Sequence, residues 1–167
     1  QNPDAQIFPP NPFQRAWLLA FESPLIEKLV FLKSARVGYA VFINTTTGWL
    51  IANDPGNVLV VQNTESDAEK FSTGEVGKVL SHCAPVMDRV IKGAKQSLLE
   101  KTFLGGKLLV GYATSPSTFR MVTIRYFYGD EISGWPDNIE NEGDGVDLGI
   151  VRTETEDNRV IVLGSTP

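Results

Sequence analysis

Three short runs rich in β-branched and apolar residues place the strongest limit on what this chain can fold into. They cover residues 37–44, 48–53 and 57–63, and turn residues separate them, among them the Asp-Pro-Gly sequence at 54–56. Proline presets φ at one corner of a turn, and glycine accepts a positive φ at the next. The pattern therefore predicts three antiparallel strands that follow one another as a meander.

The chain changes character after these runs. Between residues 64 and 103, apolar side chains recur every three or four positions, with polar side chains on the opposite side, as in an amphipathic helix. Pro85 interrupts this stripe, which predicts a helical pair over about 67–102. Cys83 falls on the apolar stripe and is predicted to lie in the core, whereas His82 falls on the polar face.

The remaining segments complete a predicted α+β fold. Strand-like runs at 106–114 and 119–129 precede two runs, 146–155 and 158–165, that are typical of a hairpin. Residues 14–34 fit a helix or buried strands equally well by their spacing. We therefore predict an antiparallel sheet of six to seven strands with the helical pair packed on one face. The alternative is a β-sandwich or jelly roll in which the helices form an insertion.

The first residues are predicted to form an extended arm. Four prolines occur among the first twelve residues, and proline both fixes φ and lacks a backbone donor. We expect residues 1–13 to be an arm that lies against a partner through Phe8 and Phe13, and residues 14–167 to be a single globular domain.

Charge is distributed unevenly along the chain. Residues 1–129 carry thirteen basic and ten acidic side chains, whereas residues 130–157 carry ten acidic side chains and only Arg152 as a base. Clustered basic residues, which nucleic-acid surfaces need, are not evident, so direct contact with nucleic acid is predicted to be unlikely. Opposed charges on one chain favour contacts between copies, which predicts self-association. No apolar run is long enough for a membrane span.

The chain is poor in the side chains that usually carry catalysis. It contains one histidine and one cysteine, and the GxGxxG, GxSxG and HExxH patterns are missing. The fragment at 74–78 has a glycine and a lysine, but its spacing is too short for a phosphate-binding loop and no Ser or Thr follows the lysine. Any chemistry must therefore come from carboxylates, and half of these lie in 130–157.

The acidic loop at 130–147 offers the one candidate ligand site. Asn138, Glu140, Glu142 and Asp144 place oxygen atoms at alternate positions, as in part of a calcium loop, although Gly149 stands where such a loop has its bidentate glutamate. Trp135, beside a glycine and a proline, is expected either to be exposed as a contact for a sugar or protein or to fold back onto the core.

These observations favour a non-enzymatic structural or interaction subunit that forms homo-oligomeric assemblies, such as a virus shell or extracellular assembly protein. That function implies a location in the virion or outside the cell, and no cofactor. The first alternative is a carbohydrate- or peptide-binding module, assisted by calcium at the acidic loop. The second is a hydrolase that uses two carboxylates.

Overall fold

The computed structural model describes residues 10–91, 97–120 and 123–167. In these residues the chain forms one six-stranded sheet with helices on both faces. The strands are β1 (Lys28–Leu32), β2 (Val58–Gln62), β3 (Glu100–Phe103), β4 (Gly106–Tyr112), β5 (Tyr126–Asp130) and β6 (Val160–Ser165). Their order across the sheet is β1-β6-β5-β2-β4-β3.

The sheet is mostly parallel, which contradicts both the antiparallel sheet and the jelly roll. Only β3 and β4 pair in antiparallel fashion, and every other pair of neighbouring strands is parallel. The physical reason lies in burial. All five residues of β2 are buried, because helices cover both faces of a parallel sheet, and such strands consist of continuous apolar runs. A continuous apolar run in the sequence does not indicate whether the neighbouring strands are parallel or antiparallel.

Nine helical segments link or flank the strands in the described part of the chain. They are α1 (Pro12–Glu22), α2 (Tyr39–Asn53), α3 (Glu65–Lys70), a π-helical segment (Phe71–Val76), α4 (Gly77–His82), α5 (Ala84–Met87), α6 (Pro116–Phe119), a 3₁₀ turn (Ile132–Gly134) and α7 (Gly145–Val151). In the described ranges, no helix is both long enough and apolar enough to cross a membrane.

The largest local error of the sequence analysis concerns the first two strands of the predicted meander. Residues 39–53 form α2, a helix that is buried on most of its circumference. Its exposed side carries the apolar residues Val41 and Trp49, so the helix has no polar stripe and its apolar runs resemble those of buried strands. The third predicted strand, 57–63, does contain β2, and residues 14–34 contain both α1 and β1.

The predicted helical pair is only partly present. Helical structure extends from residue 65 to 87, but residues 100–103 form β3, and residues 92–96 lie outside the described part. Pro85 stands in the first turn of α5, as expected. Cys83 is exposed rather than in the core, because it lies at the break between α4 and α5.

The predicted C-terminal hairpin is also wrong. Residues 145–151 form α7, and β6 lies between β1 and β5, parallel to both. Of the predicted arm, residues 1–9 lie outside the described ranges, and α1 already begins at Pro12.

Two clusters of buried side chains, one on each face of the sheet, form the core. The larger includes Phe42, Ile51 and Tyr128 and joins α1, α2 and the helical segments 65–87 to the sheet. The smaller includes Phe127 and Trp135 and joins α6, α7 and the loop after β5 to the opposite face. The sheet is thus packed between two helical layers, which position the ends of its strands.

Candidate functional site

The carboxyl ends of four neighbouring strands, β1, β6, β5 and β2, converge at one edge of the sheet. Leu32 lies opposite Ser165 in the β1–β6 pair, and Asp130 lies opposite Gly164 in the β5–β6 pair. In open α/β sheets, ligands bind at the carboxyl ends of the strands. This edge is therefore the first place to search for a site.

A loop of six residues, 33–38, connects β1 to α2 at this edge. Arg36 and Gly38 both adopt positive φ, at 61° and 85°. Gly38 precedes the first turn of α2 without a side chain that caps it, so backbone N–H groups of that turn remain available. A loop with left-handed residues that leads into a helix N-terminus is a recurrent anion-binding arrangement.

Lys33 lies at the start of this loop and points at two carboxylates. Its Nζ is 2.5 Å from Oε1 of Glu131 and 3.7 Å from Oδ1 of Asp130. The lysine side chain is only 8% exposed, and its Nζ lies 4.9 Å from the centroid of the Tyr39 ring. A buried ammonium group is stable only when it is paired, and these two carboxylates supply the pairing.

Glu131 is held from a second direction by the end of β6. The backbone N–H and the hydroxyl of Thr166 both donate to Oε2 of Glu131, at 3.2 and 2.8 Å. Burial would raise the pKa of Glu131, but the hydrogen bonds from Lys33 and Thr166 lower it below its usual value. Beside it, the hydroxyl of Ser165 donates to that of Ser133 at 2.6 Å.

Asp130 has the opposite electrostatic character. Burial raises its pKa above the usual value, against the lowering effect of Lys33. Its Oδ1 has no hydrogen-bond partner among the described residues. A buried carboxylate with an unused oxygen atom is suited to a hard cation, which prefers oxygen ligands.

Two cavities open on either side of this carboxylate pair. The loop cavity, about 310 Å³, is lined by residues 33–34 and 36–41 together with Asp130 and Glu131. The helix cavity, about 350 Å³, is lined by the same two carboxylates and by side chains from the end of β2, from α3 and from the π-helical segment. A third cavity of about 290 Å³ lies at the amino ends of the strands, away from these groups.

Helix α1 supports the loop from outside. The side-chain amide of Gln14 donates to the carbonyl of Val37 at 3.1 Å, and its oxygen accepts from the backbone N–H of Asn11 at 2.9 Å. An added Cβ at Gly38 would displace this amide, and the φ of 85° at this position favours glycine.

The predicted site residues lie in other places. Trp135 is 8% exposed and donates from its indole N–H to the carbonyl of Asp130 at 3.0 Å, so it takes the folded-back position. Phe13 is 44% exposed and packs edge-on against Trp17. Phe8 lies outside the described residues.

The four residues of the predicted calcium site serve separate local roles. Asn138 accepts from the N–H of Gly143, Glu142 pairs with Arg120, Asp144 caps α7, and Glu140 is exposed. No cluster of three acidic, histidine or cysteine side chains that could hold a metal occurs in residues 10–91, 97–120 and 123–167. Calcium at this loop is therefore not supported.

The residues that matter at the sheet edge were missed for an identifiable reason. The phosphate-loop pattern requires a lysine and then a Ser or Thr directly after its second glycine. Here Tyr39 and Ala40 follow Gly38, and the lysine stands five positions earlier, at Lys33. A usable signal was present in the sequence, because an apolar run ends in Asp130 and Glu131. These two residues were grouped with the acidic segment 130–157 and were not considered as a separate pair.

Sequence comparisons with known proteins all point to one family. The family model for the phage terminase large subunit gpA, ATPase domain, matches residues 7–167. The terminase large subunit of Escherichia phage lambda is 29% identical over 163 residues, and that of Enterobacteria phage P21 is 28% identical over 166. Each alignment covers 93% of this chain and 25% of the relative, so the chain spans about a quarter of the curated relatives it matches.

Solved structures share the fold at low sequence identity. The HK97 bacteriophage large terminase superposes with a TM-score of 0.79 at 12% identity, over 98% of this chain and 34% of that one. The ATPase domain of the Thermus phage P74-26 large terminase superposes with a TM-score of 0.70 at 14% identity, over 96% of this chain and 66% of that one.

These matches contradict the predicted function. A structural shell subunit, a carbohydrate- or peptide-binding module and a two-carboxylate hydrolase are all wrong, because the matched family is an ATPase domain. The predicted partners are contradicted with them, both self-association and the exclusion of nucleic acid. The expected location in the virion agrees with these matches only as far as the relatives are phage proteins.

Proposed function

Because this chain belongs to the family of phage terminase large subunit gpA ATPase domains, we propose that it binds ATP in the loop cavity and hydrolyses it. The observation that carries the proposal is the placement of Lys33 against Asp130 and Glu131, directly beside the loop that leads into α2. The loop cavity combines backbone N–H groups that can bind an anion with the Lys33 ammonium group, which can bind phosphate oxygens. It also contains two carboxylates, Asp130 with a raised pKa and Glu131 with a lowered pKa.

The loop and Lys33 form the phosphate-binding side of the site. Backbone N–H groups at the start of α2 attract negative charge through the partial positive charge of the helix N-terminus. Lys33 adds a full charge at the base of the loop. Incoming phosphate oxygens compete with Glu131 for the Lys33 ammonium group, so nucleotide binding and the position of Glu131 are coupled.

The carboxylates fit a magnesium ion that accompanies ATP. Magnesium is bound through one or two carboxylates together with phosphate oxygens and water, and Asp130 offers a buried carboxylate with an unused Oδ1. When bound, the ion neutralises charge on the phosphate oxygens. Asp130 is the residue we assign to it, because Ala40 stands where phosphate loops supply a hydroxyl.

Glu131 is the residue we assign to the attacking water. Its lowered pKa keeps the carboxylate ionised at neutral pH, so that it accepts a hydrogen bond and orients the water toward the terminal phosphorus. A new P–O bond forms to the water as the bond to the bridging oxygen of ADP breaks. One proton of the water passes to Glu131 or to a phosphate oxygen, and the other stays on the released phosphate.

The larger process is inferred from the family, whose matched relatives are terminase large subunits. We propose that hydrolysis drives the packaging of duplex DNA into a phage capsid within the infected cell. DNA, the small terminase subunit and the portal are then the proposed partners; the chain itself spans about a quarter of the relatives it matches.

ATP hydrolysis by two site variants tests the proposed function. We expect Lys33→Ala and Glu131→Gln to lower kcat at least a hundredfold, because the first removes a charge from the phosphates and the second removes the group that orients water. Lys28→Ala, an exposed lysine of β1, is the matched control and should keep the wild-type rate. Wild-type kcat in either site variant, with circular dichroism showing an intact fold, would refute the proposal.

A further inference from the structure

Gln62 lies at the carboxyl end of β2. Its side chain is buried and takes no part in the proposed binding and hydrolysis of ATP. The residue is 8% exposed, and its amide Nε2 has no hydrogen-bond partner among the described residues. A buried N–H donor without a partner destabilises the fold, and an apolar side chain of similar shape would avoid that loss. The donor therefore points to a bound state in which it is used.

The strand register places Gln62 beside Asp130. Val61 lies opposite Gly129 in the parallel β2–β5 pair, so Gln62 and Asp130 are the next residues along the two strands. Neighbouring residues of paired strands project their side chains to the same face of the sheet. Both side chains line the helix cavity.

Asp130 thus lies between two donors of different kinds. Lys33 approaches Oδ1 from the loop side, at 3.7 Å, which is too long for a hydrogen bond. Gln62 lies on the other side, in β2, where the pairing of β2 with β5 sets it beside Asp130. Once phosphates draw the ammonium group of Lys33 away, Gln62 is a side-chain donor that remains beside this carboxylate.

We infer that Gln62 is a positioning residue that holds the Asp130 carboxylate in the orientation required for its magnesium ion. This inference rests on the proposed function. Partners that orient a metal ligand from behind commonly contribute ten- to a hundredfold to metal affinity. Gln62 requires no contact with the nucleotide to act in this way.

Metal binding, measured separately from turnover, tests the inference. Gln62→Met keeps the length and volume of the side chain but removes its donor. We expect the affinity for Mn²⁺, followed by electron paramagnetic resonance in the presence of a non-hydrolysable ATP analogue, to fall about tenfold. The Mg²⁺ concentration for half-maximal hydrolysis should rise by the same factor, while kcat at saturating Mg²⁺ stays within about twofold of wild type.

Thr47→Val is the matched control, because the hydroxyl of Thr47 is also buried without a hydrogen bond of ordinary length, and Thr47 lines neither the helix cavity nor the loop cavity. It should leave Mn²⁺ affinity unchanged. If Gln62→Met binds Mn²⁺ as tightly as wild type, the inference about Gln62 fails and the proposed function stands. If the wild type itself binds neither Mn²⁺ nor the analogue, both fail together.

Discussion

Glu131 is held in a backbone conformation that is unusual for a residue other than glycine. Its φ of 50° lies in the left-handed region, which costs a residue other than glycine about 1–2 kcal/mol. This conformation ends β5 abruptly and directs the carboxylate between Lys33 and Thr166. The strain is thus offset by charge-assisted hydrogen bonds, which are stronger than those between neutral groups.

Removal of the Thr166 hydroxyl tests whether its hydrogen bond lowers the pKa of Glu131. In Thr166→Val, Glu131 keeps Lys33 and the backbone N–H but loses its 2.8 Å hydrogen bond. Because hydrogen bonds to a carboxylate lower its pKa, we expect the pKa of Glu131 to rise, so that the acid limb of the pH profile of kcat moves to higher pH. We also expect kcat to fall about tenfold, with the KM for ATP within twofold of wild type.

The control for this variant is Thr73→Val. Thr73 is an exposed threonine of the π-helical segment that bonds to the carbonyl of Glu69. Its loss should leave the pH profile in place, and an unshifted acid limb in Thr166→Val would count against the assigned role of Thr166.

At the scale of elements, glycine permits the close approach of α7 to the sheet. Gly149 faces the ring of Phe127 in β5, and an added Cβ would clash with three atoms of that ring. This contact packs the second helical layer against the strand that ends in Asp130. The distance between helix and strand therefore affects the position of the site.

Gly149→Ala should destabilise the protein by about 1–3 kcal/mol, since overpacking forces side chains or backbone to move. Gly74→Ala is the matched comparison, because a Cβ there meets nothing within 4 Å and the substitution lowers the entropy of the unfolded chain. Urea unfolding of the two variants should therefore give effects of opposite sign or clearly different size. Equal midpoints would show that α7 can retreat from Phe127 without loss.

The elements also show what sequence alone can predict. The runs that contain β2, β4 and β6 are visible because each is apolar and bounded by turn residues. Strand direction is not visible, since a strand buried on both faces has no period that distinguishes parallel from antiparallel neighbours. Helix α2 was hidden for a related reason, because it is buried on most sides.

The candidate site was harder to predict than the fold. Lys33, Asp130 and Thr166 are far apart in the chain and meet only because β1, β5 and β6 are neighbours in the sheet. Correct pairing was needed before these residues could be grouped. Moreover, the lysine occupies the first position of the loop rather than the last, so a search by motif passes over it.

At the scale of the whole molecule, nucleotide binding should be measurable as stability. A ligand that binds only the folded state at a hundred times its Kd adds about 2.7 kcal/mol. For a domain of this size that corresponds to a rise in Tm of about 5–10 °C. We expect ATP with Mg²⁺ to produce this shift in differential scanning fluorimetry, and Lys33→Ala to abolish it.

Adenosine serves as the control ligand, because it lacks the phosphates that the loop and Lys33 are proposed to bind. It should leave Tm unchanged, and chelation of Mg²⁺ should reduce the shift caused by ATP. A shift of equal size with adenosine would mean that the loop cavity does not recognise phosphate.

The position of β6 inside the sheet has a consequence for synthesis of the protein. This strand enters the sheet between β1 and β5, although more than 120 residues separate it from β1 in the chain. Pairings across such separations form slowly, and until they form the strand edges stay exposed. Thr166 must therefore leave the ribosome before it can form its hydrogen bonds with Glu131. The proposed site is therefore incomplete in any nascent chain that ends before β6.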